Sequence, residues 1–187
     1  MKNIAIFASG SGSNFEAIAI AIKNGEINAC LTLLVCDKPE AKAISRAKRL
    51  GVPVLVCDSK EFTSRADHES HILTALKAAK VDFIALAGYM RIIGDTLLNA
   101  YSGKIVNIHP SMLPAFPGMD AIASAFKSGA KKTGVTVHYI DEGVDTGPII
   151  AQRQVDILPN DTIETLEDRV HIVEHELYVE VLKNLMS

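Results

Sequence analysis

The amino-acid sequence predicts an α/β fold: a Rossmann-like, mostly parallel sheet flanked by helices, with a C-terminal antiparallel strand pair and a long final helix. Three observations predict it. Through the first half, short and continuously apolar runs alternate with helical segments, as in a sheet covered on both faces. In the second half two runs alternate apolar with polar residues, the mark of half-buried strands. The last segment repeats apolar residues at helical spacing.

The elements follow in order. Residues 3–8 form a short apolar strand, followed by Ser9-Gly10-Ser11-Gly12-Ser13-Asn14 and a helical pattern from Phe15 through Ile22. Leu31 to Cys36 is a second strand, residues 40–50 a helix, and Pro53 to Cys57 a third strand. Residues 63–79 read as a helix with Ile72, Leu76 and Ala79 on one stripe, before strands at Phe83 to Ala87 and Ile105 to Ile108. Parallel strands joined this way require right-handed crossovers. Val135 to Tyr139 and Ile149 to Ile157 are the alternating runs, joined by Asp141 to Pro148, and should pair antiparallel. The final helix begins near Thr162, with Asp161 and Glu164 at capping-box spacing. Its residues Ile163, Leu166, Val170, Val173, Leu177, Val181 and Leu185 should face the sheet. No repeat or linker interrupts the pattern, so residues 1–187 are expected to form one domain.

Composition narrows the functional classes. The 187 residues are 48% apolar and 22% charged, with a net charge of −3. That balance gives no general case for nucleic acid or an anionic membrane as partner, although local basic groups could hold a small anion. No apolar run approaches the roughly 20 residues of a membrane-spanning helix. Met1 to Phe7 runs straight into Gly and Ser and reads as a strand rather than a leader. Cys30, Cys36 and Cys57 are odd in number and are expected as buried thiols in a reducing cytoplasm, without a nucleophilic role.

The loop Ser9 to Asn14 lies between a strand and a helix, where glycines permit close approach and the helix dipole favours an anion. A phosphomonoester site is the leading reading. A plain tight turn and a dinucleotide site remain alternatives. The dinucleotide fingerprint is incomplete because Phe15 stands where a third glycine is needed, although Asp37 could imitate the ribose-binding acid.

Asn107-Ile108-His109-Pro110-Ser111 ends the fifth strand. Asn107 and His109 are two residues apart and point to the same side of an extended chain. They sit at a strand's carboxyl end, where ligands of open α/β sheets bind. Pro110, Pro114 and Pro117 stiffen the loop that follows, and Gly118 closes it.

The chain closely resembles the phosphoribosylglycinamide formyltransferases, folate-dependent enzymes of purine synthesis. Three blocks carry the resemblance: Ser9 to Asn14, Asn107 to Pro114, and Val137-His138-Tyr139 followed by Asp145 to Ile150. The resemblance covers essentially the whole chain and implies the formyltransferase fold. It implies that Gly12, Ser13, Asn14, Phe15 and Glu16 hold the ribonucleotide, chiefly its phosphate, with His171 and Glu174 on the last helix. It implies that Arg65, Met90, Arg91, Ile92, Ile93 and Asp141, Glu142, Gly143, Val144, Asp145 contact 10-formyltetrahydrofolate as co-substrate. Asn107, which also meets the folate, and His109 would act on the formyl group, with Asp145 as partner of His109. It further suggests a cis Leu113–Pro114 bond. Ser11, Met112 and Asp120 depart from the usual residues of these blocks.

The residue types suit this chemistry in their own right. An amine attacking a formyl carbon develops an oxyanion, which an Asn amide and a protonated His can stabilise. A carboxylate near the His favours its charged form. The proton then passes from the amine to the leaving folate nitrogen through His109 or a water held by Asp145. Neither a metal nor a covalent intermediate is required. Rival readings are a zinc site at His171-Ile172-Val173-Glu174-His175, a non-catalytic nucleotide-binding module, and two other formyltransferase classes, the formyltetrahydrofolate deformylases and the methionyl-tRNA formyltransferases. Those two carry extra domains for which this chain shows no pattern. His68 and His71 are expected to be solvated. A monomer or homodimer acting on small molecules is expected.

Overall fold

The computed structural model describes residues 1–187. Its elements alternate through the first half: β1 (Lys2–Ala8), α1 (Ser13–Lys23), β2 (Ala29–Cys36), α2 (Lys42–Arg49), β3 (Val54–Val56), α3 (Arg65–Ala78), β4 (Phe83–Leu86), α4 (Asp95–Ala100) and β5 (Ile105–His109). There follow α5 (Ala121–Lys127), β6 (Lys132–Tyr139), β7 (Ile149–Asp156) and α6 (Ile163–Leu185). The seven strands form one sheet in the order β3-β2-β1-β4-β5-β6-β7. Pairing is parallel from β3 to β5 and antiparallel for β5–β6 and β6–β7. The predicted architecture is therefore the one observed.

The continuous apolar runs are explained by burial on both faces. Ile4 to Ala8 and Phe83 to Leu86 are all buried. One face packs Ile4, Ile6, Ala85 and Val106 against α1 and α6. The other packs Ala5, Phe7, Ile84 and Ile105 against Ile72, Leu76 and Leu97. On α6 the buried positions are Leu166, Val170, Glu174, Leu177, Tyr178, Val181 and Leu182. The stripe thus includes two polar-tipped side chains, and Ile163, Val173 and Leu185 are only half-buried. Tyr178 is fully buried because its hydroxyl donates to the Leu86 carbonyl at 2.8 Å, with Val106 O at 3.3 Å, a hydrogen bond that offsets desolvation of the phenol.

Several expectations are corrected. Helix α6 is capped by Thr162 and Thr165, not by Asp161 and Glu164: Thr165 N donates to Thr162 Oγ1, and Thr162 N to Thr165 Oγ1. Asp161 instead accepts from Leu158 N and pairs with Arg169 at 2.7 Å. His68 is buried rather than solvated, with Nε2 2.9 Å from the Cys57 carbonyl. Cys30 is exposed, on the opposite side of the strand from the buried Ala29 that precedes it, while Cys36 and Cys57 are buried as expected. Helices α4 and α5 fill stretches left without an element in the sequence. The Leu113–Pro114 bond is cis. No helix is long and apolar enough to cross a membrane.

Candidate active site

A cavity of about 550 Å³ opens beyond the carboxyl ends of the parallel strands. Its walls come from four places: the Gly-rich loop (Gly10 to Asn14), the segment after β4 (Ala87 to Ile93), the end of β5 with the loop after it, and the β6–β7 loop. His171 and Glu174 of α6 complete it. The switch from parallel to antiparallel pairing at β5–β6 brings the third and fourth walls together. The chain leaves β5 at His109, returns down β6, and re-enters the cavity at Asp145.

The Gly-rich loop is shaped by close contact. Gly12 has φ +74°, and a Cβ there would stand 2.6 Å from Ala43 Cα. Only glycine meets both demands. Ala43 N donates to Gly10 O at 3.1 Å, and Arg46 Nε to Ser11 O at 2.8 Å, so α2 holds the loop from outside. Glu16 forms ion pairs with Arg46 and Arg49 and does not line the cavity. Phe15 is sealed in the core. The buried Asn14 Oδ1 has no hydrogen-bond partner.

At the centre, Asn107 and His109, on one side of β5 as their spacing suggested, line the cavity together with Asp145, which the resemblance named as partner of His109. His109 is buried, with Nε2 2.8 Å from the Phe116 carbonyl and Nδ1 3.4 Å from Asp145 Oδ2. A carbonyl can only accept, so Nε2 carries a hydrogen and Nδ1 is the atom left to gain or lose a proton. Asp145 Oδ2 also accepts from Gly118 N at 2.8 Å, tying the Pro-rich loop to the β6–β7 loop. Burial alone would raise the Asp145 carboxyl, but hydrogen bonding to His138, the Gly118 N–H and the His109 ring together hold it below the usual range. Asp145 has φ +55°, a left-handed conformation that Asp tolerates better than most residues.

His138 is the residue that sequence reasoning missed. It lies opposite Asn107 in the β5–β6 register, fully buried, with Nε2 3.6 Å from Asp145 Oδ1 and 3.4 Å from Asn107 Nδ2. The signal was present: once β5 and β6 pair, a His facing the Asn107 side must join the cluster.

On the side of β4, Met90 and Ile92 expose apolar side chains to the cavity, and Ile93 is anchored in the core. Arg91 lines the same wall and reaches Ser59 Oγ at 2.8 Å. Asp141, Gly143 and Val144 form the opposite rim. Asp141 accepts from Thr146 Oγ1 and Gly143 N, and these two bonds lower its carboxyl. Arg65 and Glu142 are exposed and do not line the cavity.

On α6, His171 Nδ1 lies 2.5 Å from Glu174 Oε2, and this hydrogen bond raises the imidazole against the opposing effect of burial. His175 turns instead to Ser13 Oγ at 3.1 Å, and burial lowers it. The two histidines have separate partners, which is not the convergence that a zinc site demands.

Comparison with known proteins agrees with this architecture. The family model described as formyl transferase matches residues 2–182. Phosphoribosylglycinamide formyltransferase of Bacillus subtilis (strain 168) is 54% identical over 187 residues, which are 100% of this chain and 96% of that relative. The crystal structure of glycinamide ribonucleotide transformylase 1 from Geobacillus kaustophilus is 60% identical, superposes with a TM-score of 0.98, and each chain covers 100% of the other. That of phosphoribosylglycinamide formyltransferase from Streptococcus pneumoniae TIGR4 is 45% identical, with a TM-score of 0.94 and the same full coverage of both chains. With the family model spanning nearly its full length and such relatives matching it end to end, the chain belongs to the phosphoribosylglycinamide formyltransferases of the formyl transferase family.

Proposed function

We propose that the cavity transfers the formyl group of 10-formyltetrahydrofolate to the amine of 5'-phosphoribosylglycinamide, giving formylglycinamide ribonucleotide and tetrahydrofolate in purine (IMP) synthesis. The protein is thus a one-carbon transferase, and residues 1–187 act as one domain. One observation carries the reading: Asn107, His109 and Asp145 meet between a phosphate-type loop and an apolar wall within one cavity.

The ribonucleotide phosphate sits at the start of α1, on Gly12, Ser13 and Asn14, where helix-terminal backbone N–H groups and the Asn14 amide nitrogen can donate to it. Glu174 and His171 receive the ribose and amine side. Phe15 and Glu16 serve by shaping the loop. The folate ring lies between Met90, Arg91, Ile92 and Ile93 and the rim Asp141, Gly143 and Val144, with Arg65 and Glu142 nearer its exposed tail.

Attack of the amine on the formyl carbon forms a tetrahedral oxyanion. The Asn107 amide and the protonated His109 donate to it, a contribution of several kcal/mol in sites of this kind. His109 takes and returns its proton at Nδ1, the edge facing Asp145, because Nε2 is held by Phe116. His109 gives its Nδ1 proton to the departing folate nitrogen as the carbon–nitrogen bond breaks and then takes the amine's proton at the same atom, or a water on Asp145 carries the amine's proton to that nitrogen. The reaction needs no metal. Small molecules are the partners, rather than nucleic acid or a membrane surface. The protein works in the cytoplasm as a monomer or homodimer.

The test is to mix the protein with glycinamide ribonucleotide and 10-formyltetrahydrofolate and follow tetrahydrofolate release. Turnover that requires both compounds is expected. No release, with nicotinamide dinucleotides binding instead, would overturn the proposal in favour of a nucleotide-binding module.

A further inference from the structure

Asp37 directly follows β2, is 3% exposed, and takes no part in any ion pair. A buried carboxylate without a cation needs strong hydrogen-bond donors. Its donor is the Ser9 hydroxyl, 2.6 Å away, itself buried at the end of β1. A serine hydroxyl has a single hydrogen, so one committed to Asp37 leaves only lone pairs for other neighbours. Met90 N uses them, donating to Ser9 Oγ at 2.9 Å. The Ser9 backbone adds a second tie, its N–H donating to Gly88 O at 3.0 Å. One residue thus holds the turn after β4 at two points, and Asp37 fixes the polarity of one of them.

We infer that Ser9 and Asp37 are positioning residues for the substrate wall formed by Met90, Arg91 and Ile92. The inference rests on the reading that this wall receives the folate. Its logic is mechanical. Met90 and Ile92 can present apolar side chains to the cavity only while the backbone between Gly88 and Ile93 keeps its path. Ile93 anchors one end of that path in the core, and Ser9 anchors the other. Neither Ser9 nor Asp37 lines the cavity, so both act through Met90 N–H. Ser9 also begins the Gly-rich loop. That loop has its own ties to α2 through Gly10 O and Ser11 O, so loss of the Ser9 hydroxyl falls mainly on the folate wall.

The test is steady-state kinetics on Ser9→Ala, Asp37→Val, Asp37→Asn and Ile92→Ala, with thermal melting of each. Ser9→Ala and Asp37→Val are expected to raise KM for 10-formyltetrahydrofolate about tenfold, with kcat and the ribonucleotide KM within about threefold of the parent, the scale of losing one buried hydrogen bond. Asp37→Asn keeps an acceptor for the Ser9 hydroxyl and is expected to recover most of the loss. The double variant Ser9→Ala/Asp37→Val should be no worse than the poorer single, since both interrupt one path. Equal effects on both KM values and kcat, or a lower melting temperature with no kinetic change, would show a merely structural pair and overturn the inference. So would failure of Asp37→Asn to recover. Ile92→Ala separates the two levels of argument. If it leaves the folate KM unchanged, the wall is misassigned; if it raises that KM while folded Ser9→Ala does not, only the positioning role fails.

Discussion

Asn107 and His138 stand opposite one another across the antiparallel β5–β6 pair, Asn107 Nδ2 lying 3.4 Å from His138 Nε2. His138 Nδ1 is 2.8 Å from the Tyr139 carbonyl, which orients the ring so that Nε2 faces both Asn107 Nδ2 and, at 3.6 Å, Asp145 Oδ1. That packing holds the Asn107 side chain against the strand pair, where it lines the cavity. His138→Ala should therefore lower kcat about tenfold while both KM values change little, because it loosens a donor used in the transition state. Kinetics that show only a raised KM would contradict this.

His109→Ala and Asp145→Asn should each lower kcat by at least about 100-fold, the usual scale for a key donor or proton-transfer group. Circular dichroism and melting should report intact folds. Near-normal turnover in either folded variant removes the residue from the mechanism.

Asp145 also makes stability depend on pH. Its folded-state carboxyl is held below the ordinary carboxylate value. The stabilisation is fully present above the unfolded value of about 3.9 and is lost as pH falls through the lower, folded one. The melting-temperature gap between the parent and Asp145→Asn should be steady near neutrality and narrow on acidification below about pH 4. A gap that widens in acid would reverse the assigned sign.

Gly12→Val should raise the ribonucleotide KM strongly and leave folate binding nearly unchanged, since the new side chain must displace Ala43 from 2.6 Å while φ stays at +74°. Isothermal titration with each substrate measures the two separately. Equal weakening of both would mean that the loop does not belong to the ribonucleotide.

Glu174→Gln should raise the ribonucleotide KM severalfold, and activity should persist in a strong chelator. In the parent, His171 is raised by its bond to Glu174. Its stabilising charge is present below about pH 6.5 and disappears as pH climbs through the higher folded value. The rise of ribonucleotide KM with pH should therefore shift to lower pH in Glu174→Gln. Chelator inactivation reversed by zinc would favour the metal reading of the same helix.

Much of this was legible in the residues. Strands β1 and β4 read clearly because burial on both faces leaves no polar residue to interrupt them. Asn107 and His109 read as a pair because extended chain repeats every two residues. His138 did not, since its membership depends on which strand pairs with β5, and that is a long-range fact. Histidine also misled at His68, whose burial depends on the Cys57 carbonyl from a different element. Asp161 and Glu164 had capping-box spacing, yet Thr162 was one residue better placed. Helices α4 and α5, at six and seven residues, are too short for periodicity to show.

The two faces of the sheet close at different moments of synthesis. Every buried member of one apolar cluster lies between Ala5 and Ile105. The other needs Leu166, Val170, Leu177, Tyr178, Val181, Leu182 and Met186 as well. A nascent chain emerging from the ribosome can therefore complete one core while the face of Ile4, Ile6, Ala85 and Val106 has α1 and α2 but still lacks α6. Until α6 is made, that half-covered face is the surface a chaperone would grip or an aggregate would nucleate on.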